Sequence, residues 1–280
     1  MTPTPLVSTA WLAANLGTPG VVVLDGTKYL PNEPKDGLTE FRAGHIPGAR
    51  FFDIDMIADP DSDLPHTVPT PARFAKLVGA LGVSRDSFVV FYDQKGIASS
   101  PRGWWMMGLF GHDQSAVLDG GLPKWIAEGN QLETGEPAPA APATFRPDFR
   151  PTRLRGIGDM LANVTAASEL VLDARAAARF HGTLPEPRAN MRAGHIPGAV
   201  SLPYTELLAP DQTLLPPAQL RAALAAHGVD GSRPVTTSCG SGVTATILTL
   251  AMTVAGLPPG AVYDGSWSEW GGRSDTPLET

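Results

Sequence analysis

The chain carries two kinds of hydrophobic pattern in alternation. Short β-branched runs, "VVVLD" (21–25), "FVVFYD" (88–93) and "SAVLD" (115–119), are separated by segments with apolar positions three and four apart, "TPARFAKLVGALGV" (70–83) and "SPRGWWMMGLFG" (100–111). The first kind predicts buried strands and the second helices. The order then recurs, with strands at "LVLDA" (170–174), "PVTTSC" (234–239) and "AVYDG" (261–265) and helices at 216–229 and 242–256. Strict alternation predicts an α/β fold of parallel sheets with helices on both faces. The segment "GVTATILTLAMTVAG" (242–256) has almost no polar face, so it predicts a buried helix.

The recurrence extends to the wording. "RAGHIPGA" at 42–49 returns at 192–199, "VLDGTKYL" around Asp25 is echoed by "VLDARAAARF" around Asp173, and "VLDGGLPKW" (117–125) is matched by "VYDGSWSEW" (262–270). Three matched segments in one order indicate a duplicated domain. Between the copies, residues 133–151 hold Pro137, Pro139, Pro142, Pro147 and Pro151, which predicts an extended linker. The expected units are 1–135 and 151–280, joined by a Pro-rich linker at 136–150, and both are of ordinary domain size.

With 280 residues, 42% of them hydrophobic and 18% charged, the chain reads as globular, and a net charge of −7 leaves no footprint for nucleic acid. The N-terminus "MTPTPLVSTAWLAANLG" lacks a basic region ahead of an apolar run, so no signal peptide is expected; the apolar stretch 245–257 is too short to span a bilayer. One cysteine forms no intrachain disulfide, which fits a reducing compartment and a cytoplasmic location. There is no metal-type Cys/His spacing and no nucleotide-type phosphate loop, so no cofactor or metal is expected.

That cysteine, Cys239, stands at the end of a predicted strand, followed by Gly240, Ser241, Gly242, Val243 and Thr244. Functional groups of parallel sheets collect beyond the carboxyl ends of the strands. Gly240 and Gly242 permit positive φ, which would curl loop N–H groups inward as an anion nest, and the following helix adds its positive end. Both favour a thiolate. A buried Cys is also a small hydrophobe, and local sequence alone leaves both readings open. The duplication tips the balance. At an offset of 146, "VVFYDQKG" aligns with "VTTSCGSG" and sets Asp93 against Cys239. A carboxylate is an odd counterpart for a packing residue, whereas a nucleophile needed in one half only can be lost from the other. Asp93 then reads as a relic or a capping group.

Two tandem copies, "HIPGA" in each and a Cys-Gly-Ser-Gly-Val-Thr loop in the second resemble the two-domain rhodanese-like sulfurtransferases along essentially the whole chain. Thiosulfate-type members carry Arg and Lys after the cysteine. Gly240 and Ser241 stand here instead, and the loop looks like that of the 3-mercaptopyruvate subfamily. The resemblance implies an Asp and a His from the first domain, matched by Asp55 and His66 in "FFDIDMIADPDSDLPH", joining Ser241 in a proton relay. By itself His66 is a polar-loop residue among acids. The resemblance also implies two substrate-binding arginines, matched by Arg179 and Arg188, whose planar forks suit a 2-oxo acid at roughly 1.5–3 kcal/mol per charge-assisted bond. Gly240, Gly242, Val243 and Thr244 complete the expected substrate-binding set.

The implied activity is transfer of sulfur from 3-mercaptopyruvate through a Cys239 persulfide to cyanide, a small thiol or thioredoxin, with no nucleic-acid or membrane partner. The alternatives are a thiosulfate sulfurtransferase or a non-catalytic interaction module. A cysteine phosphatase would need an arginine six residues after Cys239, where Ala245 stands. His45 and His195 occur in both halves and read as structural, Trp267 and Trp270 as packing with Trp267 near the pocket border, and His181 as an uncertain neighbour.

Overall fold

The computed structural model describes residues 4–137 and 139–280. Residues 6–118 build one five-stranded parallel sheet from β1 (Leu6–Val7), β2 (Val21–Asp25), β3 (Arg50–Phe51), β4 (Phe88–Tyr92) and β5 (Ser115–Leu118), in the order β1-β5-β4-β2-β3. Residues 154–263 build a second from β6 (Leu154–Arg155), β7 (Leu170–Asp173), β8 (Val200–Ser201), β9 (Val235–Ser238) and β10 (Ala261–Tyr263), in the equivalent order β6-β10-β9-β7-β8. The central strands are the apolar runs of the sequence. The outer strands β1, β3, β6 and β8 have two residues each and carry no period, so pattern alone passes over them. Short edges of this kind also resist edge-to-edge association.

The helix after β4, Ser100–Leu109, and the helix after β9, Ala245–Val254, are buried along nearly their whole length and pack on one another. One apolar core therefore runs through both halves, from Val22 and Phe91 through Trp105 and Met106 to Ile247, Leu250 and Leu172. Two latches flank it. Asp264, just past β10, accepts the Val68 N–H at 2.7 Å, and Asp119, just past β5, accepts the Leu214 N–H at 2.9 Å. Val68 and Leu214 are themselves 146 residues apart. The halves thus meet reciprocally, in the manner of a two-fold dimer.

The repeated "HIPGA" segments are a second shared device. His45 stacks on Phe41 at 4.1 Å and donates from Nδ1 to its carbonyl, while His195 does the same with Phe180 at 3.7 Å. Each then bridges to a returning strand segment, at Glu133 and Glu279. The Pro-rich segment has no regular structure over 139–150, but it is strapped down rather than loose. Ala143 donates to Gly79, Asp148 donates to Phe110, and buried Phe145 packs edge-on against Phe74. Among the described residues no helix is long and apolar enough to cross a membrane.

Candidate active site

β9 delivers Cys239 to the mouth of a cleft between the halves. Its side chain is 2% exposed, yet it lines a cavity of about 720 Å³ together with Gly240, Ser241, Val243, Thr244, His66, Arg179 and Arg188. Gly242 turns the loop through positive φ (74°), as its position predicts. Gly240 does not, so the expectation of two left-handed glycines is corrected to one. What Gly240 supplies is space: a Cβ there would stand 3.1 Å from Arg179 Nη2 and 4.0 Å from Arg188 Nη1. Gly242 is not among the residues that line the cavity. It faces the junction, where its carbonyl accepts from Arg102 at 3.1 Å. No N–H from Gly240 to Thr244 donates to a protein oxygen among the described residues, so these donors are uncommitted.

His66 is buried at the junction rather than solvated, and its backbone is held at φ 63°. Such strain in a non-glycine residue persists only where the surroundings enforce it. Here Arg102 does so by donating 2.6 Å to the His66 carbonyl. The ring stands 2.9 Å from Ser241 Oγ through Nδ1 and 3.0 Å from Asp55 Oδ1 through Nε2. An ionised carboxylate only accepts, so Nε2 carries the hydrogen and Ser241 donates its own to Nδ1. Burial lowers the His66 pKa against the opposing pull of Asp55, which keeps the ring neutral at pH 7. The bond from His66 and then the ammonium of Lys28 hold the Asp55 carboxyl well below the usual range, against partial burial. Asp55 itself is half-exposed and sits behind His66.

The two arginines differ. Arg179 is ion-paired with buried Glu186, which also takes buried Arg175 at 2.7 Å. Arg175 in turn grips Asp173 through two nitrogens and lies 4.4 Å over the Trp267 ring. Arg188 has no carboxylate within ion-pair distance among the described residues. Burial lowers its pKa while the Cys239 side opposes that. A guanidinium so placed awaits an external anion. Trp267 and Trp270 are packed away, and His181 lies against Phe180 and His195 rather than in the cleft.

A model of the Rhodanese-like domain matches residues 8–128 and again 158–273. The chain belongs to the rhodanese-like family of sulfurtransferases. It is 41% identical to the 3-mercaptopyruvate sulfurtransferase of Rattus norvegicus, over 95% of this chain and 91% of that one. It is 38% identical to the Escherichia coli K12 enzyme of the same name, over 100% and 99%. It is also 39% identical to the Bos taurus thiosulfate sulfurtransferase, over 98% and 94%. The SseA crystal structure from E. coli superposes with a TM-score of 0.85 at 36% identity, covering 95% of this chain and 99% of that one. Identity across the rhodanese-like relatives therefore does not separate the two sulfur donors.

Several residues escaped sequence reasoning. Arg102 is fully buried, pairs with Asp264 at 2.7 Å and ties the His66 loop to the Cys239 loop. A single charge in the apolar run "SPRGWWMMGLFG" was its available signal. Glu186, between the two arginines in sequence, had a similar one. Lys28 had none.

Proposed function

We propose that the protein transfers the sulfur of 3-mercaptopyruvate through a persulfide on Cys239. The observation that carries this is the space beside Gly240, which lets Arg179 and Arg188 lie against the loop. An arginine in that position, the thiosulfate pattern, would displace Arg179. Arg188 is read as the anchor for the donor carboxylate, with Arg179, oriented by Glu186, on the keto oxygen.

In the step proposed, the Cys239 thiolate attacks the donor sulfur and the carbon–sulfur bond breaks toward carbon. Its electron pair becomes the pyruvate enolate, which protonation converts to pyruvate. The donor's thiol hydrogen replaces the one consumed, so the step is proton-neutral. The Ser241–His66 pair carries that proton, and Asp55 fixes the tautomer. The uncommitted N–H groups of the loop stabilise the persulfide anion. The outer sulfur then passes to cyanide, a thiol or thioredoxin. Residues 1–135 are read as the unit that lends Asp55 and His66 to the catalytic unit 151–280 across the segment 136–150. The lone thiol suits the cytoplasm.

Steady-state kinetics with the two donors test this. The expected kcat/KM for 3-mercaptopyruvate exceeds that for thiosulfate by at least about 10²-fold, and Arg188→Lys narrows the gap, because bidentate recognition is lost. Comparable values for both donors would contradict the assignment.

A further inference from the structure

We propose that the wall of the same cavity formed by Tyr29, Lys95 and Tyr204 is a binding site for the sulfur acceptor, and that the acceptor it takes is a small thiol bearing a carboxylate. This rests on the sulfur-transfer reading above. A cavity of about 720 Å³ is of a size that holds a drug-like molecule, whereas the donor has only about seven non-hydrogen atoms. With the donor beside Arg179 and Arg188, the remainder of the cavity is lined from the first half by Lys28, Tyr29, Asn32 and Lys95.

Tyr29 is 9% exposed as a residue, but its phenol oxygen is open and makes no hydrogen bond among the described residues, and half-buried Tyr204 lines the same cavity in the same condition. Both are protonated donors at neutral pH: burial, followed by nearby carboxylates, pushes Tyr29 up to about 12 and raises Tyr204 in the same direction. Lys95 Nζ lies 5.5 Å from the centre of the Tyr29 ring and bonds Glu33 at 2.6 Å, so most of its donor capacity stays free. Among the described residues the one acid that lines the cavity is Glu186, which Arg175 and Arg179 neutralise, and neither Glu33 nor Asp93 lines it. Glu33 is held by Lys95 and the Leu30 N–H, and Asp93 by its own loop. Two phenols and an ammonium facing one space are a donor set for a carboxylate. Lys95 aligns with Ser241 across the duplication, so the loop without a nucleophile supplies this wall.

The acceptor's thiolate attacks the outer sulfur of the Cys239 persulfide. A new sulfur–sulfur bond forms, the bond to Sγ breaks, and its electron pair returns to Cys239 as thiolate. The product is the persulfide of the acceptor.

The test compares 3-mercaptopropionate, neutral 2-mercaptoethanol and cyanide as acceptors at saturating 3-mercaptopyruvate, for the wild type, Tyr29→Phe and Tyr29→Phe/Lys95→Met. The double variant is expected to raise KM for 3-mercaptopropionate roughly tenfold or more, the single variant less, with 2-mercaptoethanol and cyanide kept within about twofold. An equal change for both thiols, or none, with cyanide turnover intact would overturn the subsite alone. A wild-type protein that releases no pyruvate even with cyanide would overturn the sulfur-transfer reading on which it rests.

Discussion

At the exit of β9 stands Cys239, followed by N–H groups that no protein oxygen occupies among the described residues. At the exit of β4, 146 residues earlier, stands Asp93, fully buried, whose carboxylate takes the N–H groups of Lys95, Ala98, Ser99 and Ser100 and the Ser100 hydroxyl. The first half shows what such a loop holds when its own side chain is an anion. The partner segments differ in the same way. His66, at φ 63°, faces Ser241, while Gln212, its counterpart at φ 64°, packs on Gly96. The anion nest, the left-handed corner and the reciprocal latches are thus properties of the fold. The proposed chemistry resides in a handful of side chains placed on one of two equivalent crossings.

The largest expected effect sharpens that contrast. His66→Ala and Ser241→Ala should each lower kcat for pyruvate release about 10²–10⁴-fold, whereas Gln212→Ala on the other crossing should stay within about twofold. Equal losses at both crossings would break the comparison. A smaller effect concerns pH. In the proposed mechanism His66 is the neutral acceptor of the Ser241 proton, and burial lowers its pKa from the ordinary 6.5, so the acid limb of kcat should fall below that value. The Lys28 charge contributes to that lowering, so Lys28→Met should move the limb to higher pH; a pH–rate profile that does not move would remove Lys28 from the account.

How far the sequence alone reaches follows from the same residues. The repeated phrases, the central strands and the buried helix after Cys239 are continuous stretches, and local pattern reveals them. Arg179 and Arg188 come with a short segment whose resemblance is specific. The pairing of His66 with Ser241 spans 175 residues and depends on how the halves dock, which no local period encodes. Arg102 and Lys28 act through contacts of the same long-range kind. The role of Gly240 is hidden from the sequence for a different reason. A glycine's use as a turn and its use as empty space look identical in sequence, and only the approach of Arg179 separates them.

The smallest expected effect contrasts two buried aspartates at equivalent strand ends. Asp173 is gripped by Arg175, whereas Asp25 has only neutral donors, Thr27, Tyr92 and Gln94, and burial raises its pKa to about 6 against those bonds. The folded state then binds this proton more tightly than the unfolded chain. Stability should therefore fall as pH rises from the ordinary 3.8 to about 6, by on the order of a few kcal/mol at most. Asp25→Asn should flatten that slope in denaturant titrations taken across the window, and an unchanged slope would place the titration elsewhere.

The central claim is that Cys239 itself carries the sulfur. Intact-mass and peptide spectrometry after mixing with 3-mercaptopyruvate, without acceptor, tests it most directly. The account predicts a gain of roughly 32 Da on the peptide containing Cys239, discharged by cyanide and absent from Cys239→Ser. Pyruvate release with no adduct, or undiminished release by Cys239→Ser, would contradict it.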